Sequence, residues 1–147
     1  MDPLTGLSPV GSIYELAQIA LSLSKTLYSL GTAVASASND IQVLAQDLRI
    51  LSQSLTILSR LLSKSWYSDD IYLLTARIIK DCTKLYVKID KIVVNLESNE
   101  KSTWKLRLKF VYKEGRIRKL MEQLRDMKGT LATILMSLQV DLQLSLL

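Results

Sequence analysis

Ile41, Leu44, Leu48, Leu51, Leu55, Leu58 and Leu62 alternate steps of three and four residues through a run without Gly or Pro. That spacing gathers all seven on one stripe of an α-helix, and a stripe of this width must be buried against another element. The rhythm returns in Ile71, Leu74, Ile78, Cys82, Leu85, Ile89, Ile92 and Leu96. It returns again in Ile117, Leu120, Leu124, Met127, Leu131, Ile134 and Leu138. An earlier stripe, Ile13, Leu16, Ala20, Leu23, Leu27, Leu30 and Val34, is interrupted near its end by Gly31 and a Ser/Ala-rich stretch. The four stripes differ in sequence and length, and no repeat of fixed period relates them, which argues for one bundle and against a solenoid.

Caps and breakers set the expected boundaries. Pro3, Gly6, Pro9 and Gly11 predict an irregular segment over residues 1–11, with Ser12 capping the first helix. Ser38 or Asn39 should cap the second helix, which runs to about Lys64. Ser68 followed by Asp69 and Asp70 supplies a cap and two carboxylates to the positive end of the third, expected to run to about Leu96. Thr103 can cap a last helix, in which Gly115 predicts a kink or break near residues 113–115. Gly129 lies in phase with its neighbours and predicts a continuous helix with close packing at that point. The fold expected is therefore all-α, a single-domain bundle of four to five helices over residues 1–147.

Composition narrows the picture without changing it. A chain of 147 residues suffices for one domain, and a 48% hydrophobic fraction with few aromatics predicts an aliphatic core. Cys82 is the only cysteine and holds a stripe position, so it reads as a small core residue in a reducing interior. An acidic residue at position 2 does not suit a secretory leader. The longest stretch free of charge, Thr26 to Asn39, is too short and polar to span a bilayer.

Charge is distributed unevenly. Between Lys101 and Lys128 ten basic residues face three acids, a local +7 in a chain of net +5. The positive charge is thus concentrated where the third and fourth helices join. A solvated helix face accounts for such a run as readily as a binding site does. The binding alternative is an anionic partner: Lys105, Arg107, Lys109, Arg116, Arg118 and Lys119 form the candidate membrane or anion site. Trp104, Leu106, Leu108, Phe110 and Tyr112 are interleaved with the first of them, as suits a headgroup layer. No groove-reading or base-stacking module surrounds the patch, so nucleic acid is not expected.

Catalytic chemistry finds little support. The absence of His removes the usual general base, the Ser-His and Cys-His nucleophile systems and nearly all zinc sites. Lys128, Gly129 and Thr130 lack the upstream glycine and strand of a phosphate loop. No catalytic, cofactor-binding or metal-binding residue, and no small-molecule substrate, is expected. Leu4, Leu7, Val10 and Leu144 give the two ends an apolar excess, and they form the candidate interface through which the termini pack on each other or on a second copy.

Met1, Asp2, Pro3 and Leu4, then Asp47 and Leu48, then the block from Trp104 to Phe110 leading to Gln123, Leu124 and Arg125, resemble the fungal N-terminal domain of STAND receptors, the HeLo-like group. The resemblance covers essentially the whole chain. More loosely, the chain is similar to the executioner bundle of mixed-lineage kinase domain-like protein and to plant resistance-protein coiled-coil domains. It implies a cytoplasmic signalling or cell-death effector of a NOD-like receptor system, peripheral at the plasma membrane. Such a module would act by oligomerisation and by binding anionic membranes. The alternative is an adaptor that binds partner helical domains. Glu15, Gln18 and Lys25 interrupt the first helix, which departs from the uninterrupted apolar segment that insertion favours.

Overall fold

The computed structural model describes the backbone of residues 9–33, 38–64, 68–97 and 103–146, and the side chains within 11–32, 39–64, 68–94, 115–144 and 146. These residues form four helices and, among them, no strand. The helices are α1 (Pro9–Ala33), α2 (Ser38–Lys64), α3 (Asp69–Glu97) and α4 (Thr103–Ser145).

Two boundaries differ from expectation. Helix α1 starts at Pro9, so residues 9–11 are helical and not irregular. Proline is suited to a first helical turn, where its missing N–H has no intrahelical partner to lose and its φ is already helical. Ser12 is consequently a buried residue of that turn and not its cap. Helix α4 is continuous through residues 113–115, so the expected break is absent. One exposed glycine costs about 1 kcal/mol, less than the packing gained by keeping Ile117, Leu120 and Leu124 in phase on a single helix. The start of α3 conforms to expectation. The Ser68 Oγ accepts a hydrogen bond from the Ile71 N–H at 3.3 Å, and the Ser68 carbonyl accepts one from Tyr72 at 3.0 Å.

The stripes meet in one core. Leu48, Leu51, Leu55, Leu58, Ile78, Leu85 and Leu124 are all buried, as is Cys82, whose thiol points at the Met127 sulfur 3.0 Å away. On α3 the stripe runs through Thr75 and not Leu74, which is 37% exposed. Helices α1 and α4 both flank α3, and the face turned toward them passes from Ile71 through Thr75 to Ile78. Leu74 lies to one side of that face, on an outer groove.

Helix α1 packs on α2 and α3, and α4 packs on the same two, so the sequence neighbours α2 and α3 occupy opposite corners. The closest seam is α1 against α2. The Ser24 hydroxyl donates to the Ala45 carbonyl at 2.6 Å, and the Ser52 hydroxyl donates back to the Ala17 carbonyl at 2.7 Å. A helix carbonyl can be reached by a short side chain on a neighbouring helix only where the backbones are near. Small residues, Ala17, Ala20 and Gly31 on α1 and Ala45 on α2, provide that approach. Gly31 is the glycine at a close crossing: a Cβ there would lie 2.8 Å from Ile41 Cγ2. At Gly129, where close packing was expected, a Cβ would meet nothing within 4 Å.

The pairings also set the relative levels of the helices. Arg118 lies beside Asp40, in the first turn of α2, and Lys128 beside Asp47. Helices α2 and α4 therefore run parallel. About fifteen residues of α4, roughly 22 Å of helix, precede the level at which α2 begins. Among the described residues no helix is long and apolar enough to cross a membrane.

Candidate functional site

Cys82 meets Met127 while Ile92, later in α3, lies with Leu120, earlier in α4, so the two helices run antiparallel and the late part of α3 faces the stretch of α4 near Arg116. Lys88 and Lys91 are three residues apart on one side, and Arg116 and Lys119 three apart on the other, so each pair projects from one helix face. Together they line a groove of about 270 Å³ whose other walls, among the described residues, are Ile92, Leu120 and Gln123. Ile92 and Leu120 belong to the core and form an apolar floor, while the four cations are exposed at the rim.

The structure divides the basic residues selected from the sequence. Arg116 and Lys119 line the groove. Arg118 projects toward α2, its Nε 4.0 Å from Asp40 Oδ2, and is not part of it. Lys105, Arg107 and Lys109 fall in α4, but their side chains, like those of Trp104 and Phe110, lie outside the described residues. Lys128 is held 3.0 Å from Asp47 Oδ1, a packing pair between α2 and α4. Lys88 and Lys91 were absent from the sequence selection. Their three-residue spacing was visible, but only the register of α3 against α4 places them opposite Arg116 and Lys119.

Of the apolar interface residues, Leu4 and Leu7 lie outside the described residues, as does the side chain of Val10 within α1. Leu144 is 61% exposed and continues a line of exposed apolar side chains, Met136 and Val140, at four-residue steps along α4. The alternating directions of the helices bring the start of α1 and the end of α4 to the same end of the bundle.

Two of the further grooves on the described surface differ from the basic groove in character. One adjoins the basic groove and shares Lys88 and Gln123 with it, but Asp81 and Asp126 stand among its cations. The other, about 870 Å³, follows the outer side of the α1/α2 seam past Lys25, Tyr28, Gln46, Arg49 and Ile50. Two titratable side chains of the core, Cys82 and Tyr86, are held in their protonated forms. Burial pushes the Cys82 thiol up to about 12, with the Asp81 carboxylate adding to the effect. Burial also raises Tyr86, whose hydroxyl donates to the Leu16 carbonyl at 3.1 Å. Among the described residues no cluster of three or more Cys, Asp or Glu side chains could hold a metal ion.

No curated protein and no solved structure gives a significant match to the chain. Residues 1–145 match the family model for the N-terminal region of the pigment biosynthesis cluster protein PigL, and the chain belongs to that family of fungal N-terminal helical domains.

Proposed function

We propose that this domain is a non-enzymatic signalling and cell-death effector module of a fungal NOD-like receptor type system, HeLo-like in kind, that oligomerises and binds anionic membranes peripherally from the cytoplasm. The observation that carries this reading is the groove between α3 and α4. Four exposed cations from two helices surround it, no acid lines it among the described residues, and its floor is apolar. The same helix, α4, carries the basic and aromatic block from Trp104 to Lys113. Such a surface is attracted to anionic headgroups over a Debye length and offers apolar atoms on contact. The family description, an N-terminal portion of a pigment cluster protein, fits a module that serves other domains.

Co-sedimentation with phosphatidylserine-containing and neutral vesicles tests the reading. Binding to the anionic vesicles that weakens with added salt is expected, together with its loss when Lys105, Arg107, Lys109, Arg116, Arg118 and Lys119 are all changed to Gln in a chain that still folds. Wild-type protein that ignores anionic vesicles at low salt, both as monomer and as oligomer, overturns it. The adaptor reading would then take its place. Its supporting observation is the exposed line of Met136, Val140 and Leu144 on α4, an apolar stripe of the kind helices bury against partners.

A further inference from the structure

The basic residues of α3 and α4 fall into two groups. Arg77 faces Asp81, Arg118 faces Asp40 and Lys128 faces Asp47. Among the described residues no salt bridge engages Lys80, Lys84 or Arg125, nor Lys88, Lys91, Arg116 and Lys119, and only these last four are gathered on one groove. The contrast is sharpest within the helix pair, because the adjoining groove has Asp81 and Asp126 in its wall and this one has no carboxylate among the described residues. Four like charges gathered on one small groove repel one another, and a bound anion relieves that repulsion.

The shape and chemistry of the groove narrow the anion. A bare ion gains from the rim alone, since Ile92 and Leu120 offer it nothing. An amphiphile uses both parts, with charged oxygens at the rim and carbon atoms on the floor. Charge narrows it further. A phosphodiester headgroup brings one negative charge on its phosphate, whereas a phosphate monoester carries about −1.5 to −2 at neutral pH with three acceptor oxygens. Four convergent donors suit the second.

We infer that the α3/α4 groove is a discrete site for a lipid bearing a phosphate monoester headgroup, held between Lys88 and Lys91 on one side and Arg116 and Lys119 on the other. Its glycerol carbons rest against Ile92 and Leu120. The inference rests on the membrane reading above and sharpens it from a diffuse attraction into a stoichiometric site. The same phosphate chemistry occurs in free phosphate, so the test separates the two sources.

Wild-type protein is titrated with vesicles containing phosphatidic acid or phosphatidylserine, matched in surface potential. In parallel, the isotope-labelled protein is titrated with short-chain phosphatidic acid below its micelle concentration and with inorganic phosphate, followed by NMR. About tenfold tighter binding to the phosphatidic acid vesicles is expected, together with saturable shifts of the amides of residues 88, 91, 116 and 119. Lys88→Gln with Lys91→Gln should abolish the preference and leave the weaker binding. Lys25→Gln with Lys80→Gln, which removes equal charge elsewhere, should keep it. If the first variant fails to fold, Arg116→Gln with Lys119→Gln makes the same test. Equal binding of the two vesicle types overturns the site and leaves the membrane reading standing, whereas binding to neither overturns both. Inorganic phosphate that saturates the same amides as tightly as the short-chain lipid overturns the lipid assignment.

Discussion

Lys128 and Asp47 join α4 to α2 through a 3.0 Å contact between Nζ and Oδ1, with 27% and 20% of their side-chain surfaces exposed. This half-buried pair stands between the exposed ion pairs that contribute almost nothing and the buried ones whose disruption strands a charge. Asp47→Asn and Lys128→Gln should each destabilise the fold by about 1 to 2 kcal/mol. A double-mutant cycle in urea should return much of that as coupling energy. The same cycle on Arg118 and Asp40, 4.0 Å apart with Arg118 largely exposed, should give a coupling below about 0.5 kcal/mol.

The glycines should separate by what surrounds them. Gly31→Ala places a methyl 2.8 Å from the Cγ2 methyl of buried Ile41, which is fixed to the branch point and cannot swing away as a long side chain would. The overpacking should exceed the gain in helix propensity, for a net loss of about 1 to 2 kcal/mol. Gly115→Ala and Gly129→Ala meet open space on exposed helix faces. Each should stabilise by about 0.5 to 1 kcal/mol. Denaturant midpoints of the three variants check the order.

Thr75 is fully buried and its hydroxyl has no hydrogen-bond partner among the described residues. Thr56, Thr83, Thr130 and Thr133 instead return their hydroxyls to the carbonyl four residues earlier, at 2.7 to 3.2 Å. Thr75→Val keeps the shape and removes the unmatched polar atom, so it should raise stability by about 1 kcal/mol. A loss of stability on thermal unfolding would mean that the hydroxyl finds a partner in solution.

Cys82 should resist thiol reagents in the native state at neutral pH, since the thiol is buried and pushed up to about 12. Its labelling rate should follow unfolding. The folded protein holds this proton more tightly than the unfolded chain, whose thiol titrates near 9.0. The associated stability is complete below pH 9 and is lost as pH rises from there through about 12. Tyr86 is raised too, so its contribution is also lost in alkali. Urea midpoints measured from pH 8 to 11 should therefore fall, and Cys82→Ala should lessen the slope.

The helices were legible because each stripe carries its own period; Ser68, Asp69 and Asp70 also announce the start of α3 without reference to any other element. What needed the structure was whatever depends on two helices at once. Leu74 and Thr75 exchange places because two neighbours, not hydrophobicity, decide which face of α3 is buried. Gly31 and Gly129 exchange roles because a glycine says nothing of what approaches it. Lys88 and Lys91 sit some twenty-five residues from Arg116 and Lys119, and a charge count along the chain has no measure of antiparallel register.

The unequal length of α4 gives the bundle a polarity. At one pole α2 ends, α3 begins and α4 finishes close to a common level. At the other, α4 reaches beyond the start of α2 by about fifteen residues. Lys105, Arg107 and Lys109 belong to that extension, and Lys91 and Arg116 lie at its base. A surface that approached along this pole would meet the bundle end-on, with the long axis of the molecule standing away from it. The pole that carries the exposed Leu144 would then face away from it.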